Sequence, residues 1–137
     1  DTPPGTGWTY EEPTSPAVVR LGKIWGKQVV RADGVTEYHN AILVEPHHCN
    51  TWEMTHGSFI GALGEIAAPG GYVAGGPPVV IIDLGMQFIG TAKAGQWIEM
   101  VGTINRKTRS LVFAEGRGMA DGQLVFTATA IHKIVGG

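Results

Sequence analysis

One stretch of this chain, residues 56–68, carries helical periodicity, and it is interrupted by glycine. Phe59, Ile60, Leu63, Ile66 and Ala67 recur at three- and four-residue steps and give an apolar stripe along one helix face. Gly57, Gly61 and Gly64 fall inside the same stretch, and each costs about 1 kcal/mol against alanine in a helix interior. Propensity therefore does not make this helix; burial does. The glycines imply that other backbone wraps it closely. Thr55 is the expected cap, and Pro69-Gly70-Gly71 stops the helix.

What wraps it must come from strands. Residues 23–31 and 35–44 read as a hairpin around Ala32-Asp33-Gly34. Residues 69–78 form a Gly/Pro-rich loop. Four strands then follow with short connections, at 79–89, 96–106, 109–120 and 123–134. Lys107-Thr108 makes one tight turn and Asp121-Gly122 a hairpin turn. In the first of these strands Val80, Ile82, Leu84, Met86 and Phe88 alternate, so that face is expected in the core, with Asp83, Gly85 and Gln87 at a polar subunit contact. Glycine accounts for 21 of the 137 residues, about twice the usual share, as tight turns and close backbone approaches require. Strands, one buried helix and an antiparallel meander make an α+β domain with the helix on one sheet face. Residues 1–20, with Pro3, Pro4, Pro13, Pro16, Gly5 and Gly7, are expected to be an irregular arm tacked down by Trp8 and Tyr10. Residues 21–137 form a single domain.

Composition closes several routes. Ten Lys and Arg against 12 Asp and Glu give a net charge of −2, which argues against a nucleic-acid partner. The lone Cys49 excludes an intrachain disulfide and a multi-cysteine zinc site. His47-His48-Cys49 with His39 lacks a helical i,i+4 ligand pair, so no metal is expected. No apolar run approaches the roughly 20 residues that span a bilayer, and a cytoplasmic protein without a membrane partner is expected.

Chemistry gathers around the helix, at Asn50, His56-Gly57-Ser58 and Glu65. A glycine at a helix start leaves backbone N–H groups directed off the positive end, where an oxyanion is stabilised by about 3–4 kcal/mol per good donor. Glu65, among Leu63, Gly64 and Ile66, is expected to be at least partly buried, which raises a carboxyl toward general-base range. A solvated glutamate and a plain helix cap are the simpler alternatives. Nine residues separate His56 from Glu65, ~13 Å along a helix and on opposite sides. A site using both is therefore best built across a two-fold dimer.

The string Asn50 … His56-Gly57-Ser58 … Glu65, followed by a glycine-rich loop and four strands, resembles the hotdog-fold acyl-CoA thioesterases, in particular the phenylacetyl-CoA and 4-hydroxybenzoyl-CoA thioesterase-like group. The resemblance implies a curled antiparallel sheet around one long central helix, paired into dimers or dimers of dimers (a homotetramer). It implies hydrolysis of a medium-chain or aromatic acyl-CoA without metal or cofactor. Glu65 is then the nucleophile or general base, Gly57 the oxyanion donor, Asn50 the group that positions water or thioester, and His56 the residue that shapes the turn. Ser58 stands where the family has a second glycine, and Ile81 where many relatives carry a hydroxyl; both fall on the substrate side. Arg106, Lys107 and Arg109 could clamp the phosphates of CoA or form an ordinary charged hairpin tip. Trp52 and Trp97 could line an acyl pocket or pack in the core. The rival readings are a hotdog hydratase-dehydratase, whose expected His/acid patterns are absent, and a non-catalytic acyl-CoA-binding module.

Overall fold

A computed structural model describes residues 2–13, 15–70 and 76–135. The first hairpin is β1 (Ile24–Val30) and β2 (Thr36–Leu43); the Asp33 carboxylate accepts the Val35 N–H at 3.1 Å and pairs with Arg31. A 3-10 turn, Pro46–His48, leads to the helix α2 (Gly57–Ala67). β3 (Val79–Phe88), β4 (Trp97–Lys107), β5 (Leu111–Ala120) and β6 (Gln123–Ile134) complete the chain. All pairings are antiparallel, in the order β1-β2-β4-β5-β6-β3. The β5–β6 turn has positive φ at both Asp121 and Gly122, 49° and 76°, the geometry that a type I′ hairpin demands. The β4–β5 connection is longer than the expected Lys107-Thr108 turn: Thr108 Oγ1 accepts from Ser110 and Leu111 N–H and closes it at 108–110.

The curled sheet wraps α2, which lies across β5, β6 and β3. Phe59, Ile60, Leu63 and Ala67 pack there against Ile42, Ile98, Met100, Val125 and Phe126. Each large side chain so buried stabilises by roughly 1.5–3 kcal/mol. The close approach expected of the helix glycines is made mainly by the sheet's own. Gly102 and Gly116 lie directly beneath the Ala67 carbonyl, and a Cβ on either would occupy its space. In the helix, Gly64 is held against Met86, whereas Gly57 and Gly61 face open space.

Three further expectations change. Residues 1–20 are not irregular throughout: Pro16–Leu21 is a short helix, α1, and Thr9 pairs with Gly26 on the edge of β1. His56, not Thr55, caps α2; Thr55 Oγ1 instead accepts the Ala92 N–H at 3.2 Å. In β3, Val80 and Ile82 are not core. A register shift between Ile81 and Asp83 reverses the alternation, so Ile81 and Met86 pack inward while Val80 and Ile82 stay exposed. Leu84 and Phe88 share the face of Met86, opposite Ala130 and Phe126, yet are also exposed. Residues 71–75 of the expected loop lie outside the described residues.

Candidate active site

The start of α2 is built around His56. Its backbone is extended, φ −72° and ψ 145°, and its Nδ1 accepts both the Ser58 N–H at 2.9 Å and the Ser58 hydroxyl at 2.8 Å. Nδ1 being an acceptor, the proton sits on Nε2. The Phe59 and Ile60 N–H groups turn back to the His56 carbonyl, each at 3.1 Å. Gly57 N–H alone in this first turn has no partner among the described residues, and Gly57 is exposed. An uncommitted donor thus points off the positive end of an eleven-residue helix.

Asn50 reaches the same neighbourhood through the Cys49–Thr55 bridge. Its Oδ1 accepts from Trp52 N at 2.9 Å and Met54 N at 3.3 Å, which folds the 50–54 turn; its amide NH2 has no partner among the described residues. Trp52 itself is exposed on this turn.

His48 is the residue that sequence reasoning missed here, having weighed it only as a metal ligand. It is buried, its ring is stacked on Phe59 at 4.0 Å and 9°, and its carbonyl accepts the His56 N–H at 2.9 Å. Nδ1 accepts from Glu45 N at 3.0 Å and Nε2 donates to Leu21 O, so α1, the 3-10 turn and the start of α2 all hang on one imidazole. Burial pushes its pKa below the usual histidine value, against the opposing pull of the Leu21 bond. No periodicity marks such a strut, because its partners are backbone atoms far apart in sequence. His39 bonds to Glu37, His47 lies 3.4 Å from the Glu45 carboxylate, and the described residues contain no group of three metal-binding side chains.

Glu65 stands two turns along α2, exposed rather than partly buried. The buried stripe runs through Phe59, Ile60, Leu63, Gly64 and Ala67, which turns Glu65 outward beside Gly61 and Ala62. It lines a groove of about 520 Å³ whose other walls include Gln28, Tyr38 and Asn40 of β1 and β2 and Thr9, Glu11 and Val18 of the N-terminal segment. A smaller hollow of about 370 Å³ lies at the other end of the helix, beside His56 and Ser58. Eight residues at ~1.5 Å rise place Gly57 and Glu65 roughly 12 Å apart along the axis. Within one chain the acid and the free N–H therefore do not converge. The Ser58 hydroxyl is occupied by His56, and Ile81 packs on the core opposite His132, whose Nε2 donates to Ala68 O at 2.9 Å. Arg106, Lys107 and Arg109 are exposed around the β4–β5 connection and do not line the groove.

Residues 53–127, more than half of the chain, match the family model described as the Thioesterase superfamily. The chain is 24% identical over 126 residues to the Pseudomonas aeruginosa protein named "Putative esterase PA0474", covering 88% of this chain and 90% of that protein. Its fold is similar to that of zebra fish thioesterase superfamily member 2, with a TM-score of 0.69, 21% identity and 88% of each chain covered. It is similar also to a hypothetical thioesterase protein of Streptococcus pneumoniae TIGR4 solved with coenzyme A, at a TM-score of 0.65 and 16% identity over 73% of this chain and 82% of that one.

Proposed function

The chain belongs to the thioesterase superfamily, and on that premise we propose that it hydrolyses a medium-chain or aromatic acyl thioester of coenzyme A at a site shared between two copies. The observation that carries this reading is the free Gly57 N–H: its helical neighbours are all satisfied, so it is pre-set for an oxyanion. Glu65 of the facing copy supplies the carboxylate. It adds to the thioester carbonyl, or draws a proton from a water that does so, while the carbonyl oxygen takes the developing charge onto Gly57 N–H. Collapse of the adduct expels CoA as thiolate, which takes up a proton; where water has added, this frees the acid directly, and where Glu65 has added, a water then hydrolyses the acyl–Glu65 anhydride to the acid and the free carboxylate. The Asn50 NH2 group orients the thioester or the water, and Arg106, Lys107 and Arg109 offer charge to the CoA phosphates.

A second copy is favoured by the β3 edge. Among the described residues this ten-residue strand pairs on one side only, with Ile82 55% and Phe88 59% exposed. Such an edge invites pairing with another chain. Release of free CoA thiol across a panel of short, long and aromatic acyl-CoAs tests the assignment, run on wild type and Glu65→Ala together. Turnover absent from the variant supports it; undiminished turnover in Glu65→Ala refutes the role of Glu65. Saturable acyl-CoA binding with no turnover would instead favour a binding module.

A further inference from the structure

The N-terminal segment is built into the groove that holds Glu65. Thr9 and Gly26 exchange two backbone hydrogen bonds of 2.8 Å, which seats residues 8–10 along the edge of β1. Lys27 of β1 lies over the Trp8 ring at 4.4 Å and Lys23, just before β1, over the Tyr10 ring at 4.5 Å, so both aromatic rings are held by lysines at the strand they adjoin. The chain then passes Glu11 and Pro13 along the groove and enters α1, where Val18 also lines it. None of the side chains of α1 is buried, although Pro16–Leu21 is anchored at its end by the His48 bond to Leu21 O. Only Leu21, at its end, packs partly buried against the core; what the rest of α1 and the preceding segment supply is one side of the groove.

We propose that this segment is the specificity wall of the acyl site: Thr9, Glu11, Pro13 and Val18 set how long an acyl group can lie beside Glu65. The inference rests on the reading that Glu65 serves an acyl thioester, and goes beyond it by naming what limits the acyl group. Walls that differ by a methylene or two discriminate ligands by roughly ten- to 200-fold. Val18 is the sharpest probe, being half-exposed and outside the core.

The test compares wild type, Val18→Ala, Val18→Trp and Thr9→Pro, each checked for native circular dichroism, across a graded series of straight-chain acyl-CoAs. Both kcat/KM and equilibrium binding are measured. Val18→Ala should move the preferred length upward, with the longer members gaining about tenfold relative to the shorter, and Val18→Trp should move it downward by a similar factor. Thr9→Pro deletes one of the two bonds to Gly26 and should broaden the profile, with faster hydrogen exchange at the Gly26 amide confirming release of the segment. Profiles that coincide for Val18→Ala and Val18→Trp overturn the proposal. If wild type hydrolyses neither this series nor the aromatic acyl-CoAs, the hydrolase reading fails separately. The wall is then judged on binding alone, where opposite shifts support it and unshifted dissociation constants overturn it.

Discussion

Gly57 occupies the first helical position, and its N–H is the one donor of that turn without a partner among the described residues. Proline is the residue that removes this donor while suiting the first helical position, where its fixed φ matches the helix. The preceding residue must then be extended, as His56 already is at ψ 145°. Gly57→Pro should accordingly keep the melting temperature near wild type and lower kcat by about 10²–10³, the usual cost of one lost oxyanion donor. Unchanged steady-state kinetics would remove Gly57 from the reaction. At this scale the sequence was readable where the chemistry is local. A glycine after a helix cap exposes an N–H wherever the fold puts it. Whether Glu65 is hidden depends on which stripe of α2 the sheet covers, and the stripe runs through Gly64 rather than Glu65.

Among the elements, α2 owes its position to contacts at both ends. At its end, Gly102 and Gly116 admit the Ala67 carbonyl, so Gly116→Ala should push the helix off the sheet and cost about 1–3 kcal/mol, read as a lowered melting temperature. At its start, His48 braces Phe59 and the His56 N–H. Because burial lowers the folded-state pKa of His48, the unfolded chain binds the proton first as pH falls below about 6.5, and stability declines from there until the folded histidine also titrates. Melting temperatures from pH 7.5 down to 5 should show this decline in wild type. His48→Phe keeps the ring stack but has nothing to titrate: its curve should be flatter and start lower, having lost the bonds to Glu45 N and Leu21 O. The strand pattern of β3 misled for a definite reason. Strict alternation assigns one face throughout, but a bulge inserts a residue and exchanges the faces midway, and nothing in Val80 to Asp83 announces it.

For the whole molecule, the separation of Gly57 from Glu65 makes two copies a condition of the proposed chemistry. Glu65→Ala and Gly57→Pro should each be nearly inactive alone. Mixed under conditions that exchange subunits, they form hybrid dimers in which one of the two sites keeps both groups, so about a quarter of wild-type turnover should return from statistical mixing. No recovery despite exchange would place the two groups in independent sites. Replacing Ile82 and Phe88 together by lysine should separate the copies, seen by analytical ultracentrifugation, and abolish turnover with little change in circular dichroism, since both side chains are exposed in the single chain.

The sequence alone determined the parts of this protein that rest on local periodicity and turn chemistry. It yielded one glycine-rich helix at 56–68, which the structure bounds at Gly57–Ala67, a leading hairpin, a four-stranded meander with Asp121-Gly122 at its last turn, and the Asn50, His56-Gly57 and Glu65 pattern that resembles thioesterases. Tertiary structure decided what depends on residues distant in the chain. It chose which face of α2 is covered, let the sheet glycines admit the helix, made His48 a strut, paired Thr9 with Gly26 and brought Glu11, Pro13 and Val18 to the wall of the groove. Periodicity reports a residue's neighbours along one element. Burial, capping by remote backbone and the shape of a groove are set by which other elements arrive there, and only the packed chain carries that information.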